Sequence, residues 1–374
     1  MKPSDIADRR LFHQRISGGR FERPEQVVRW MGAMQAQDYQ HALWAVALRT
    51  RDATRTDIER AIEDRAIVLT WPMRGTIHLV AATDVRWLLE RCASRPLAAS
   101  KTRRRQLELD DQILGRCERL IHDALKGGQR LTRAEVMHLL QTAGIDPTGQ
   151  RGYYILWSLA QTGMICFGPR RGFEQTFVLL EEWVPASQPR SRDDALSELA
   201  RRYFTSHGPA TLKDFAGWTG LSLTEARSGL ESVRSGLVSQ KNDANEYWWA
   251  DTASGAPDPK AVYLLPGFDE YLLGYKDRRD VLSAEHAQKI VPGGNGVFLP
   301  TIVADGQVVG TWKRNLKQQP PEVQLSPFTD LDGLNERAAD AINRFRAFAV
   351  DPRDLEDRDV SAAPSGTAPK RRRK

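Results

Sequence analysis

Apolar positions along this chain switch from helical to alternating spacing, and they do so three times in succession. In the first segment, apolar side chains recur with a helical period and are followed by short runs rich in β-branched residues. The first pattern predicts amphipathic helices and the second predicts strands. The predicted elements are helices over 24–35, 42–48 and 57–63, strands over 67–71 and 76–80, and a turn at Pro72-Met73-Arg74-Gly75. The segment is therefore expected to fold as three helices followed by a β-hairpin.

The same order of elements recurs twice. The second segment has predicted helices over 111–125, 132–141 and 153–161 and strands over 164–167 and 175–180. The third has predicted helices over 193–206, 211–218 and 222–232 and strands over 237–241 and 246–250. Three helices and a hairpin make up the winged-helix variant of the helix-turn-helix, and a repeat of about 90 residues is domain-sized rather than a solenoid period. We predict winged-helix domains over 8–100, 101–188 and 189–255.

The last region changes from helical to mostly β patterning. Strands are predicted over 261–266, 297–303, 307–312 and 323–325, and a closing helix over 332–348. Asp305-Gly306 is a strong hairpin signal between the second and third of these strands. The chain is therefore expected to be an α+β protein that ends in a small β-rich domain over 256–350. Residues 351–374 are predicted to be a disordered tail with a basic end.

Length and composition limit the class of protein. The 374 residues allow two to four domains with substantial cores. No apolar run is long enough for a membrane span, and the first residues lack the apolar stretch of a signal peptide. Cys92, Cys117 and Cys166 are scattered, which favours buried thiols in a reducing compartment. We predict a monomeric cytoplasmic protein, associated with the nucleoid if it binds DNA, with no metal and no other cofactor.

The net charge of +6 comes mainly from the C-terminus. Residues 370–374 supply +5, so the rest of the chain carries only +1. A surface for nucleic acid must therefore consist of local cationic patches. The candidates are Arg74 in the first hairpin, Arg103 and Arg104 in a basic run, Arg170 and Arg171 in the second hairpin, and Lys276, Arg278, Lys313 and Arg314 in the last domain.

His78 lies on the second strand of the first predicted hairpin. A lone histidine on a strand is more often a hydrogen-bonded structural residue, but a position on a wing leaves a DNA contact open. No second histidine stands at metal-ligand spacing, so we predict no zinc site.

The candidate chemistry lies in Gln35-Ala36-Gln37, at the end of the first predicted helix and just before Asp38. Two amides at i and i+2 share a side only in an extended chain, and on a helix they diverge by about 200°. If the helix ends here, both amides are presented together beside a carboxylate. A side-chain amide can orient a water molecule without being a base strong enough to ionise it. That property suits a reaction whose leaving group is already activated.

Three separated motifs resemble those of the AlkZ-like bacterial DNA glycosylases, which belong to the HTH_42 winged-helix superfamily. They are MQAQD near the N-terminus, WPMRGTIHLV in the first hairpin and LLPGFDEYLLGYKDR near the C-terminus, and the resemblance covers residues 8–350. It implies tandem winged helices in a C-shaped arrangement around DNA. It also implies excision of alkylated purines, including bulky N7 adducts and, in some members, the unhooking of interstrand crosslinks.

The resemblance also assigns roles to residues. The family's Gln–apolar–Gln catalytic motif falls on Gln35, Ala36 and Gln37, and a lesion-sensing hairpin is matched to residues 284–298. The two glutamines would position a water under C1′ of the sugar, and Asp38 would supply negative charge or act as a base. No nucleophilic lysine is evident near the motif, so a monofunctional glycosylase is expected. Its partner would be double-stranded DNA carrying alkylated bases.

Two other functions fit the same pattern. A transcriptional regulator would read bases with the predicted helices over 57–63, 153–161 or 222–232, but acidic residues in the first and third of these would repel phosphates. A DNA-binding resistance protein would shield lesions or sequester a genotoxin without chemistry. A footprint at one defined sequence would favour the regulator.

Overall fold

The structure, a computed structural model, describes residues 2–186, 189–242, 245–251, 261–315, 321–330 and 333–349. The predicted basic tail over 351–374 and the predicted first residue of the closing helix, Asp332, lie outside these residues. No helix in the described ranges is both long and apolar enough to cross a membrane.

The first segment contains the predicted helices and hairpin, with additions at both ends. Its helices are α1 (Pro3–His13), α2 (Pro24–Met31), α3 (Tyr39–Ala47), α4 (Arg55–Glu63), α5 (Val85–Cys92), α6 (Ser94–Ala99) and α7 (Lys101–Gln106). Its strands are β1 (Met34–Gln35), β2 (Ile67–Met73) and β3 (Thr76–Ala81). The sequence pattern predicted neither α1 nor α5–α7. Helix α2 is shorter than predicted because Gly32, at φ 81°, follows its last residue.

The second and third segments follow the predicted order closely. The second comprises α8 (Asp111–Leu125), β4 (Leu131–Thr132), α9 (Arg133–Thr142), α10 (Arg151–Gln161), β5 (Ile165–Arg171), β6 (Glu174–Leu179) and α11 (Leu180–Trp183). The third comprises α12 (Arg192–Ser206), α13 (Leu212–Thr219), α14 (Leu223–Val233), β7 (Leu237–Asn242) and β8 (Asn245–Ala250). The predicted capping box of α9 is present, with the Thr132 and Glu135 side chains each accepting from the other's backbone N–H.

One sheet joins the first two segments. Its strand order is β1-β3-β2-β5-β6-β4, and the two hairpins meet where Leu69 of β2 pairs with Phe167 of β5. Met34, Leu79, Leu69 and Phe167 are in register across the sheet and belong to one apolar core, which also includes side chains of the C-terminal region. The residues next to these on the strands, such as Val68, Val80 and Cys166, face the opposite side of the sheet. There they belong to a second core, which also contains side chains of α5 and of the third segment. The sheet therefore forms the centre of the molecule.

The C-terminal region is a four-stranded antiparallel sheet with short helices. It comprises β9 (Val262–Leu265), α15 (Glu270–Leu273), α16 (Ala287–Ile290), β10 (Thr301–Ala304), β11 (Gln307–Asn315), β12 (Glu322–Pro327), α17 (Leu334–Arg337) and α18 (Ala339–Ala349). The sheet order is β12-β11-β10-β9. In place of the single closing helix that was predicted, the described residues form the two helices α17 and α18. Trp44 of α3 packs against Phe345 and Phe348 of α18, which attaches this region to the first segment.

The structure contradicts two predictions in this region. The strand predicted over 297–303 begins only at Thr301. Residues 284–298 contain no strand, since short helical turns occupy 284–294 and residues 295–298 are irregular. Gly293 and Gly294, both at φ 64°, follow Pro292 and interrupt any extended run there. The match of residues 284–298 to a lesion-sensing hairpin is therefore wrong.

Candidate active site

The Gln35–Gln37 segment has the extended backbone that its two amides need in order to share a side. Met34 and Gln35 pair antiparallel with Leu79 and His78, and the Ala36 N–H donates to the Ile77 carbonyl at 2.7 Å. Met34 and Ala36 are buried, whereas Gln35 is half-buried and Gln37 is exposed. This alternation places both glutamine side chains on the side away from the core that holds Met34 and Ala36.

Gln35 is held at both its backbone and its side chain. The Gln35 N–H donates to Glu270 Oε1 at 3.1 Å, and Arg74 Nη2 donates to Gln35 Oε1 at 3.1 Å. Because the arginine occupies the carbonyl side of the amide, the network assigns the NH₂ group to the outer side. Within the described residues this NH₂ group has no hydrogen-bond partner, so it remains available as a donor to a bound molecule.

Glu270 is a buried carboxylate behind the glutamine segment. Its Oε2 accepts from Trp218 Nε1 at 2.9 Å and lies 3.5 Å from His207 Nε2. Burial by itself would raise the pKa of Glu270, but the contact with His207 and the charge of Arg74 lower it to about 2. Glu270 is therefore negatively charged at neutral pH, one hydrogen bond away from Gln35.

His78 and Arg74 complete this network from the first hairpin. The His78 ring is fully buried, its Nδ1 lies 2.9 Å from the Thr76 carbonyl, and its Nε2 lies 3.1 Å from Arg74 Nη2. These contacts fit a neutral ring that donates from Nδ1 and accepts at Nε2. Burial, followed by the charge of Arg74, lowers the pKa of His78 to about 3. The ring has no exposed edge for DNA, so its geometry favours the structural alternative.

Asp38 is engaged as the N-cap of α3. Its Oδ1 accepts from the His41 N–H at 2.9 Å and lies 3.9 Å from Arg314 Nη2. Burial lowers the pKa of His41 to about 4, against the opposing effect of Asp38. The Asp38 carboxylate therefore places a partly exposed negative charge beside Gln37, but its Oδ1 is already hydrogen-bonded as the N-cap of α3.

The predicted DNA-contacting cations fall into three groups. Arg103, Lys276 and Lys313 are exposed and have no carboxylate partner within the described residues. Others are paired or stacked: Arg104 with Asp111, Arg171 with Glu135, Arg314 with Asp38, Arg170 on the ring of Tyr39, and Arg278 on the ring of Phe298. Arg74 turns inward and also donates to the Trp218 carbonyl. The tip of the first hairpin is covered as well, since Trp157 Nε1 donates to the Gly75 carbonyl at 3.1 Å.

Sequence reasoning missed the part of the site that comes from distant segments. Glu270 and Trp218 were not candidates, although Glu270 stands in the C-terminal motif that carries the family resemblance. Two adjacent acids, Asp269 and Glu270, in an otherwise apolar stretch were the available signal, because buried carboxylates need specific partners.

The cysteines add no further chemistry to the site. All three thiols are buried, as predicted, and burial raises the pKa of Cys92 to about 12 and that of Cys117 to about 11. Across the ranges given above, no three or more His, Cys, Asp or Glu side chains are grouped so that they could hold a metal ion.

Acid is expected to destabilise this protein because its buried histidines stay neutral. Burial lowers the pKa of His78, His41 and His207, whereas each titrates near 6.5 when unfolded. Below that pH the unfolded chain binds more protons, so stability decreases as the pH falls. We expect the urea midpoint to decrease between pH 7 and pH 5. The free energy of unfolding should fall by at most about 1.4 kcal/mol per pH unit for each histidine.

The histidines and Glu270 change the stability over different pH ranges, so the two contributions can be measured separately. Glu270 contributes stability above its unfolded pKa of 4.5, and this is lost only as the pH falls toward about 2. A His78→Asn variant should show a shallower decrease between pH 7 and pH 5. A urea midpoint that stays constant over that range would contradict the neutral histidines.

Comparisons with known proteins agree along nearly the whole chain. A family model described as DNA glycosylase AlkZ-like matches residues 28–348. An interstrand DNA cross-link repair glycosylase from Streptomyces sahachiroi is 28% identical over 340 residues, covering 84% of this chain and 87% of that protein. The solved structure of the Streptomyces sahachiroi DNA glycosylase AlkZ has a TM-score of 0.77 at 25% identity, covering 93% of this chain and 97% of the other.

Proposed function

The chain belongs to the AlkZ-like DNA glycosylase family, and from this premise we propose that it hydrolyses the N-glycosidic bond of alkylated purines in double-stranded DNA. The observation that carries the proposal is the extended Gln35–Gln37 segment, whose first amide is oriented by Arg74 and whose backbone is held by Glu270. The similar Streptomyces sahachiroi protein is described as a cross-link repair glycosylase. That description supports bulky N7-alkylguanines and interstrand crosslinks as further substrates.

The reaction needs little acid catalysis. N7-alkylation gives the purine a positive charge, so the base departs as a neutral leaving group when the bond to C1′ breaks. The electron pair of that bond goes to the base, and an oxocarbenium-like sugar develops. Water then adds to C1′ through a lone pair of its oxygen, and the extra proton of the resulting oxonium passes to bulk solvent. An enzyme of this kind has to position the water and stabilise the developing cation.

We assign these two tasks to the residues around the motif. The NH₂ group of Gln35 would donate a hydrogen bond to the water oxygen, and the carbonyl oxygen of the exposed Gln37 amide would accept a hydrogen bond from the water. Asp38 would supply negative charge near the cationic sugar rather than act as a mobile base, because it caps α3. Glu270 is a positioning residue: it holds the Gln35 backbone and balances the charge of Arg74.

We further propose that the three helix–hairpin segments are winged helices that form a C-shaped surface for DNA. The exposed cations Arg103, Lys276 and Lys313 are the proposed phosphate contacts. Arg170 and Arg171, on the second hairpin, are added as contacts at its exposed end. Arg74 and His78 are not proposed as DNA contacts, because their hydrogen bonds lie inside the protein.

The test is a gel assay on a duplex that contains one N7-methylguanine. We expect strand breaks only after alkaline treatment, because a monofunctional glycosylase leaves an intact abasic strand. Breaks without alkali would contradict the monofunctional mechanism. If no product forms on this lesion, on a bulky N7 adduct or on an interstrand crosslink, the proposed function is wrong.

Arg74→Lys is expected to slow excision about 10-fold or more, because a misplaced catalytic group loses much of its effect. Lysine keeps the positive charge beside Glu270 but lacks the forked guanidinium that reaches Gln35 and the Trp218 carbonyl together. Single-turnover rates on the N7-methylguanine duplex measure the change. Arg60→Lys on α4, an exposed arginine, is the control and should keep the wild-type rate. An unchanged rate for Arg74→Lys would show that Gln35 does not depend on this contact.

A further inference from the structure

The end of the second hairpin presents the most exposed large apolar side chain in the described residues. Strands β5 and β6 are joined by the two-residue turn Gly172-Phe173, and Arg171 pairs with Glu174 across it. Gly172 has φ 60°, which a tight hairpin turn requires. The Phe173 side chain is 91% exposed. A single exposed apolar side chain is common on protein surfaces, so the residues around Phe173 decide whether it has a partner.

The surroundings of Phe173 favour nucleic acid as that partner. Arg170 and Arg171 precede the turn. Two further exposed arginines lie near it: Arg133 is the first residue of α9, and Arg130, whose carbonyl accepts from Arg171 Nη2, comes just before β4. The guanidinium of Arg133 lies over the ring of Tyr153, which is itself partly exposed. Alternating arginines and aromatic rings suit a DNA surface, since the cations contact phosphates and the rings contact bases.

A groove lies beside this hairpin end and reaches the start of α3. It has a volume of about 560 Å³, and its lining includes Phe173, Arg170 and Tyr39. The guanidinium of Arg170 stacks on the Tyr39 ring at 4.7 Å, and Tyr39 lies two residues after Gln37. The stacked pair of Arg170 and Tyr39 therefore links the hairpin that carries Phe173 to the residues that follow Gln37.

The floor and the charge of the groove indicate how DNA would meet it. Leu69, Phe167 and Ile62 provide an apolar floor, whereas Glu59 and Glu63 place carboxylates along its lining. Arg55 also lines the groove and pairs with Glu59 at 3.1 Å, so the lining carries both signs of charge. The apolar floor suits the flat face of a base. The arginines at the hairpin end remain as the backbone contacts.

We propose that Phe173 is a wedge that enters the base stack of the duplex beside the lesion and unstacks it. This inference rests on the proposed glycosylase function, because it gives the wedge its purpose: C1′ must be exposed before the water held by the glutamines can reach it. Apolar side chains inserted between base steps unstack and kink duplex DNA in other proteins. Phe173 would perform this step from the second hairpin while the first segment performs the chemistry.

The test separates unstacking from excision. Duplexes carry 2-aminopurine next to either an unmodified guanine or an N7-methylguanine, and 2-aminopurine fluorescence reports unstacking. Phe173→Ala should abolish the fluorescence increase seen on wild-type binding and change the DNA affinity by less than about 10-fold. Phe173→Trp should keep the increase. Leu223→Ala, which removes another exposed apolar side chain from the third segment, is the matched control and should behave like wild type.

Excision rates give the second readout. Phe173→Ala should slow excision from a fully paired duplex about 10- to 100-fold. The deficit should disappear on a substrate in which the lesion lies in a preformed mismatched bubble. An equal deficit on duplex and bubble, or a fluorescence increase that survives Phe173→Ala, would overturn the wedge. The same holds if wild type does not bind or unstack either duplex.

Failure of the wedge and failure of the proposed function remain distinguishable. Unstacking that depends on Phe173, without excision of any lesion, would reject the glycosylase assignment and keep the wedge. Excision that is insensitive to Phe173 would reject the wedge and keep the glycosylase. If Phe173→Ala changes only self-association, the exposed ring serves a protein contact instead.

Discussion

Gln37→Ala is expected to slow excision of N7-methylguanine at least about 100-fold, the scale on which positioned catalytic groups act. Gln37 is exposed, and its side chain has no hydrogen-bond partner within the described residues. The substitution therefore removes a group that faces the substrate without removing a contact that supports the fold. DNA affinity and the urea midpoint should stay close to wild type. Single-turnover rates measure the effect.

A matched control lies three residues further along the chain. Gln40→Ala removes the same type of side chain from the first turn of α3 and should leave the excision rate within about threefold of wild type. Gln35→Ala should also slow excision strongly. If both glutamines hold the same water, the double variant should be little worse than either single one, because residues that act as a unit are not additive.

The same variants separate the glycosylase from its alternatives. A non-catalytic resistance protein would protect cells equally well with or without Gln37, and a regulator would keep its footprint at one DNA sequence. Loss of excision and of protection together, with DNA binding retained, would support catalysis by this motif. Wild-type rates in both single variants would remove Gln35 and Gln37 from the mechanism.

Asp269→Ala is expected to lower the free energy of unfolding by about 3–5 kcal/mol, because it leaves a buried arginine without its partner. Arg49 and Asp269 form two hydrogen bonds of 2.9 Å each, and both side chains are almost completely buried. Arg49 also donates to the Gln14 side chain at 3.0 Å. The pair joins the first segment to the C-terminal region, next to Glu270. Urea unfolding followed by fluorescence and circular dichroism measures the change.

The control for this prediction is an ion pair of similar length on the surface. Arg51 and Glu22 are 3.0 Å apart, and both side chains are more than half exposed. Glu22→Ala should therefore change the stability by less than about 1 kcal/mol. If Asp269→Ala is as mild as Glu22→Ala, the Arg49–Asp269 pair does not hold the two regions together. Replacing Arg49 and Asp269 together by apolar residues should cost less than Asp269→Ala alone.

The structure assigns a different role to the arginine of the motif WPMRGTIHLV. As a sequence, an arginine at a hairpin turn indicates a contact with the DNA backbone. In the fold, Arg74 points inward to Gln35, Trp218 and His78. The second hairpin, by contrast, ends in the exposed Gly172-Phe173 turn. Two hairpins with the same predicted role therefore have different surroundings, which only the packing of their neighbours decides.

Local sequence patterns are sufficient to predict the order of most helices and strands, and they place the glutamine motif next to the end of a helix. These features depend on local causes such as apolar periodicity and the Thr132 capping box. The helix predicted over 24–35 is too long, because Gly32 at φ 81° follows the last residue of α2, and the extended form of the glutamine segment was predicted only on the condition that the helix ends there. The groups that surround the glutamine segment, by contrast, are set by tertiary contacts. Glu270 is 235 residues from Gln35 along the chain, yet their hydrogen bond is 3.1 Å long. Such contacts depend on the burial of the shared sheet between two cores, and no local pattern of side chains encodes their partners.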